Sequence, residues 1–282
     1  MSSDTPVPAN RGEHRMTTTT EYFDRMAGHW TEKYQRDGFF RRRLETVLSW
    51  FDGEPAASSI LDFGCGSGVL MGALLQCGRT VTGVDASPVM IETARAHLKS
   101  GAVRGRYTLE LIDPEQFAGR YLTTVYAGVV CLGVLEYVPN ASTLLARLGS
   151  VVAPGGVLIL SAPNCSSLLR MIETTVYKHP GLFKRVPPFA HLTGVDTYRR
   201  FQTHQFTLSE LSRVLASARF QLEEARYQVA PPPLQALDRH RLIGMTVLAK
   251  YRKAHLEIQM PPGNRNAASD GRDLTVCNNA RR

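Results

Sequence analysis

The sequence predicts an α/β protein built on a seven-stranded, mostly parallel sheet that ends in a C-terminal antiparallel hairpin. Three observations predict it. Short apolar runs of strand character alternate with longer amphipathic runs of helix character from "SILDFG" onward. A glycine-rich turn, "LDFGCGSG" at residues 61–68, joins the first strand to the first helix that follows it. The last two strand-like runs, "FQLEEARYQVA" and "MTVLAKYRK", need no long helix between them, so they are expected to pair antiparallel.

Taken in order, "SILDFG" is a strand and "VLMGALLQCG" a helix that ends at Gly78. "TVTGVDAS" is the second strand, and "PVMIETARAHLKSG" is a helix with proline near its start and glycine at its end. "RYTLELID", "AGVVCLGV" and "GGVLILSAP" supply three further strands, with helix-like "ASTLLARLGSVVAPGG" between the last two. "FTLSELSRVLASARF" carries a capping box, with Thr207 as N-cap, Glu210 three residues on and Phe206 as a staple. Residues 1–18 and 255–282 are poor in large apolar side chains and read as disordered tails, the second one basic. The folded domain is therefore expected over 19–254.

The 282 residues carry a formal net charge of +8 and five cysteines. No apolar run reaches the roughly 18 residues of a membrane span, and the longest, "VYAGVVCLGVLEYV", contains Glu136. The first twenty residues resemble neither a secretory signal nor a transit peptide, and the cysteines show no CxxC pairing, so a reducing, cytoplasmic setting is expected. The surplus charge is split between a tail and one loop without an RNA-binding motif, which argues against nucleic acid as a partner.

The glycine turn holds the chemistry. A dinucleotide fingerprint, GxGxxG, would place its third glycine at residue 69, where the chain has Val69, and no Gly-Lys-Ser/Thr follows to make a Walker loop. The pattern present is DxGxGxG. Asp62 at its head would repel a pyrophosphate and attract a cation. Asp85 ends the next strand, overlooks the same crevice and can accept both hydroxyls of a ribose. Asp113, at the following strand end, is placed for an adenine amino group, with Met90 packing on the base. A ligand with a zwitterionic amino-acid end, a ribose and an adenine but no phosphate is S-adenosylmethionine. Cys65 between two of the glycines reads as a small residue fitting a tight turn, with a nucleophile as the alternative.

With these residues in view, the chain resembles the class I S-adenosylmethionine-dependent methyltransferases over residues 20–253. "ILDFGCGSG", "VTGVDASPVMIETAR", "VCLGVLEYVPN" and "LLARLGSVVAPGGVLILSAPN" are similar to four of that family's motifs, in the family's order. The resemblance implies a Rossmann-like methyltransferase sheet with helical lid segments at 19–50 and 163–206. It also implies that Asp62, Gly64, Gly66 and Gly68 contact the methionine portion, Asp85 the ribose and Asp113 the adenine. Cys65, Ala86, Met90 and Leu132 complete the expected cofactor set. Tyr22, Trp30 and Tyr34 fall at near-helical spacing and could turn their rings toward the sulfonium, core packing being the other reading.

The insertion "VDTYRRF...TLSEL" resembles the ubiquinone-biosynthesis O-methyltransferases, whose corresponding segment covers the substrate site and touches membrane lipid. Val195 stands where that subfamily commonly has histidine, and "LEYV" with Tyr137 where "LEHV" is frequent. The expected reaction is O-methylation of a small phenol or quinone-like metabolite. N- or C-methylation of an amine, lipid or natural-product intermediate is the enzymatic alternative, and a cofactor-binding partner subunit without turnover the non-enzymatic one. A phenol must lose its proton, so His191, His204 and Tyr137 are the candidate catalytic residues, with His29 as a further histidine; no metal is called for. Lys178, Lys184, Arg185, Arg199 and Arg200, set against Asp196, form a basic lid face that could meet anionic lipid.

Overall fold

The computed structural model describes residues 18–56, 58–101, 105–112, 124–179, 201–229, 236–238 and 240–255. Helix α1 (Thr19–Arg36) starts at a capping box, with Thr18 and Glu21 each satisfying the other's backbone N–H. Asp37 ends it and caps α2 (Gly38–Phe51) by accepting from the Phe39 N–H at 2.8 Å. Strand β1 (Ser59–Phe63), helix α3 (Val69–Gln76), strand β2 (Thr80–Asp85) and helix α4 (Pro88–Ser100) follow. Next come β3 (Tyr107–Leu111), β4 (Tyr126–Leu132), a 3-10 turn (Leu135–Tyr137), α5 (Ala141–Ser150) and β5 (Val152–Pro163). Helices α6 (Leu168–Lys178) and α7 (Leu208–Ala216) and strands β6 (Phe220–Gln228) and β7 (Thr246–Lys253) complete the chain.

One seven-stranded sheet results, in the order β3-β2-β1-β4-β5-β7-β6. The first five strands pair parallel, and β7 lies between β5 and β6, antiparallel to both. The side-chain period of two along each strand sorts the core into two layers. Leu61, Phe63, Val129, Cys131, Leu158 and Leu160 face α5 and α7, which contribute Leu144, Leu148, Leu211 and Leu215. Ile60, Val130, Val157 and Ile159 face the other way, onto Val47 and Phe51 of α2, Leu70 and Leu74 of α3 and Ile91 and Leu98 of α4.

One expected element is corrected. The helix drawn over "ASTLLARLGSVVAPGG" stops at Ser150, and its last residues belong to β5. Val152 already pairs with Tyr126, and a register shift between Tyr126 and Gly128 accommodates Pro154 and Gly155, the latter at φ +76°. The expected tails fall almost wholly outside the described residues.

Helix α2 is pinned to the sheet and to the chain that follows it. Arg79 donates to the carbonyls of Phe51 and Pro55, so a guanidinium caps the helix C-terminus. Lys250 donates to the Trp50 carbonyl and to Glu54, and the Trp50 indole donates to Glu224. This fixes the rotation of α2, which matters because the same helix carries Arg43 into the interior.

Candidate active site

In an open α/β sheet, ligands gather outside the carboxyl ends of the strands where the strand order reverses. Here that point lies between β1 and β4, and a cavity of about 660 Å³ opens there. Three of its walls come from the ends of β1, β2 and β4, and the fourth from α1 through Thr19, Thr20, Phe23, Trp30 and Tyr34.

The glycine turn is tied to the end of β2. The N–H groups of Gly64 and Cys65 donate to the Val84 carbonyl at 2.8 and 3.0 Å, and the Gly66 N–H donates to Asp85 Oδ2 at 2.8 Å. Asp85 Oδ1 accepts from the Ser87 N–H at 2.9 Å. Burial pushes the Asp85 carboxyl up, against the pull of these backbone donors. Asp62 is 3% exposed, and its Oδ2 is buried without a hydrogen-bond partner. Burial first, then the neighbouring Asp85, pushes its carboxyl up to about 7, while Arg43 works in the opposite direction. Cys65 lines the cavity, but burial together with Asp62 and Asp85 raises its thiol well above the ordinary value, which removes the thiolate a nucleophile needs.

Aromatic rings form a continuous chain along the α1 wall. Phe23 meets Trp30 at 5.5 Å and Tyr137 at 5.2 Å, both edge-on, and Trp30 meets Phe40 at 5.8 Å. The Trp30 Nε1 lies 3.3 Å from where a Cβ on Gly66 would stand, so the indole rests on the bare loop backbone.

Asp62, Gly64, Cys65, Gly66, Asp85, Ala86, Met90, Leu132, Trp30 and Tyr137 are brought together around this cavity. Three expected residues are not. Tyr22 turns away to pack on Phe201, and Phe23 takes its place, because Phe23 and Trp30 stand seven residues apart on one helix face. Gly68 is not among the lining residues: it starts α3 at φ +76°, and a Cβ there would lie 3.0 Å from that of Ala94 on α4. His204 stands off the cavity wall, its Nε2 against the Pro139 carbonyl at 2.9 Å. His29 is exposed on α1. Asp113 and His191 lie outside the described residues, as do Lys184, Arg185, Val195, Asp196, Arg199 and Arg200 of the basic segment; Lys178 is exposed at the end of α6.

Sequence reasoning passed over Arg43, the only cation among the described residues that line the cavity. It is buried, its Nη2 donates to the Tyr34 hydroxyl at 3.0 Å, and it sits 4.9 Å from the Phe40 ring centroid. The available signal was its register: Arg43 shares the apolar face of α2 with Val47 and Trp50.

A family profile for "Methyltransferase domain" matches residues 32–225. The chain belongs to that family, as a class I S-adenosylmethionine-dependent methyltransferase. It is 33% identical over 199 residues to the mitochondrial ubiquinone biosynthesis O-methyltransferase of Schizosaccharomyces pombe, spanning 70% of this chain and 68% of that one. The ubiquinone biosynthesis O-methyltransferase of Cupriavidus pinatubonensis is 26% identical over 233 residues, spanning 82% and 88%. Among solved structures, magnesium protoporphyrin IX methyltransferase from Synechocystis PCC 6803 with bound SAH superimposes with a TM-score of 0.62 at 21% identity, over 83% of this chain and 97% of that one. The N-methyltransferase NodS from Bradyrhizobium japonicum, in complex with S-adenosyl-l-homocysteine, gives 0.58 at 18% identity, over 84% and 98%.

The residues present fit the cofactor of this class, S-adenosylmethionine. The unpartnered oxygen of Asp62 is an acceptor for an ammonium, and Arg43 is a cation for a carboxylate. The buried Asp62 and the half-buried Asp85 in the walls disfavour a phosphate chain.

Proposed function

We propose that this enzyme transfers a methyl group to the oxygen of a small phenolic, quinone-like acceptor. The observation that carries the reading is the orphaned Asp62 carboxylate placed in one cavity with the aromatic wall of Phe23, Trp30 and Tyr137. S-adenosylmethionine supplies, when bound, a methyl group already activated on a sulfonium. Asp62 would hold its ammonium and Arg43 its carboxylate, with Gly64, Cys65 and Gly66 leaving room for the methionine portion. Each oxygen of Asp85 accepts one backbone N–H and keeps a lone pair for a ribose hydroxyl. Ala86 and Met90 would flank the adenosine and Leu132 the opposite wall, with Asp113 at the adenine amino group.

The protein's remaining work is to align the acceptor and exclude water, and rings edge-on to one another make a slot suited to a flat acceptor. Tyr137 lines that slot and would orient the acceptor hydroxyl. His204 would reach it as a base only on leaving the Pro139 carbonyl, and His191 is the other histidine proposed for that role. The S. pombe and Cupriavidus relatives, named as ubiquinone biosynthesis O-methyltransferases, support the choice of oxygen and of a quinone-like ring. Incubating the enzyme with methyl-labelled S-adenosylmethionine and an equimolar mixture of a catechol and 2-phenylethylamine tests the reading. Label is expected in an aryl methyl ether. Label on the amine, or none in either acceptor, would overturn it.

A further inference from the structure

Five charged side chains of alternating sign follow one another from the cavity wall into the fold: Asp62 on β1, Arg43 on α2, Glu136 in the 3-10 turn, and Arg170 and Glu173 on α6. Arg170 pairs with Glu173 at 3.7 Å and donates to the Met245 carbonyl at 3.1 Å. Arg43 forms an ion pair with neither Asp62 nor Glu136, although its charge bears on both carboxyls. Gly133 explains how the second of these approaches is made. A Cβ at that position would lie 3.6 Å from Arg43 Nη1 and 3.9 Å from Glu136 Oε1, so both charged groups border the space that Gly133 leaves open. Glu136 itself is 6% exposed, and its Oε2 has no hydrogen-bond partner. Such an arrangement gives one guanidinium two buried carboxylates to choose between.

We propose that Glu136 is a positioning residue for donor binding: its carboxylate draws the Arg43 guanidinium away from Asp62, which leaves Asp62 free to receive the ammonium of S-adenosylmethionine. The proposal rests on the cofactor placement given above. Tyr34 accepts from Nη2 and the Phe40 ring lies 4.9 Å from the guanidinium carbon, which leaves Nη1 for the acids. Removing the charge at 136 leaves Asp62 as the remaining carboxylate partner, and a swing toward it closes the seat. The groups facing Glu136 are Arg43 from α2, Arg170 from α6 and Cys131 from β4. Burial raises its carboxyl against the two guanidiniums, so it protonates in the same pH range as Asp62.

Calorimetric titration of the purified enzyme with S-adenosylhomocysteine tests this in the wild type, Glu136→Gln, Arg43→Gln and the double variant. Glu136→Gln is expected to weaken binding about tenfold and to remove one of two protonations from the acid limb of the affinity profile. In the Arg43→Gln background the same change is expected to cost nothing further. Glu136→Asp, which keeps the charge, is expected to bind within about threefold of wild type, and serves as well if the glutamine variant fails to fold. Wild-type affinity in Glu136→Gln, an equal loss in both backgrounds, or an Asp variant as weak as the Gln variant would each overturn the proposal. A wild type that does not bind S-adenosylhomocysteine would overturn the cofactor placement itself.

Discussion

Asp62→Asn is expected to weaken S-adenosylhomocysteine binding by about 100-fold or more and, at pH 8, to make the ligand-free protein more stable than wild type. Both effects come from one carboxylate. The ammonium it would receive is a buried charge partner, and truncating one side of such a pair leaves the other unpaired. The stability effect follows from its raised titration. In the folded chain Asp62 takes up its proton at about 7, against 3.8 for an unperturbed aspartate. Between those values the folded state binds a proton that the unfolded state has released, so stability falls as pH rises through this window. Above 7 the ionised, buried group destabilises the fold in full, by a few kcal/mol, and asparagine removes that burden. A rise in Tm of about 5 °C at pH 8, shrinking as the pH falls and reaching zero only below about pH 4, is the expected scanning-calorimetry result. Wild-type affinity should also fall as pH drops below about 7, a dependence the variant should lose. A variant that binds normally, or that is destabilised at pH 8, would contradict this assignment.

Gly64→Ala should be the most damaging single-atom-scale change to the loop. The residue sits at φ +80°, which costs a non-glycine residue about 1–2 kcal/mol, and its new Cβ would lie 2.2 Å from Val134 Cγ2. Val134 is β-branched and stiff at χ1, so the clash must be relieved by moving the cavity wall, at a further 1–3 kcal/mol or about that. Denaturant unfolding should therefore show a loss of roughly 3 kcal/mol, with cofactor affinity falling alongside. Gly78→Ala separates the two contributions, since Gly78 has the same φ of +80° and nothing within 4 Å of its added Cβ. It should cost about 1 kcal/mol. Adding Val134→Ala to Gly64→Ala should recover the packing part and leave the backbone part. Equal losses for Gly64→Ala and Gly78→Ala would show that Val134 is not what constrains the loop.

The legible parts of this site were those whose meaning is local. A glycine turn between a strand and a helix, headed by Asp62 and answered by Asp85 one βα unit later, specifies its own geometry, and all but one of its expected residues line the cavity. Gly68 is held to glycine by its φ of +76° and by Ala94, a packing constraint that the motif alone does not announce. Tyr22 takes the core-packing role that near-helical spacing left open, while Phe23, about 100° further round the helix, lines the cavity. Arg43 and Glu136 were illegible for a different reason. Arg43 is the last of three consecutive arginines, which read as a solvated face, and Glu136 interrupts an apolar run; only the fold, which brings α2 to the turn after β4, places both in the interior. The two closing strands were predicted to pair antiparallel and do so; that β7 would insert between β5 and β6 depends on sheet-wide packing that no segment announces.

The central claim is that the turn beginning at Asp62 seats the amino-acid end of S-adenosylmethionine through its ammonium. The most direct measurement is titration of the wild-type enzyme at pH 8 with S-adenosylhomocysteine and with the same molecule lacking its amino group. Saturation of one site per chain by the first, with binding of the second weaker by about 100-fold, is the predicted result. Equal affinity for the two, or no binding of either, would contradict it.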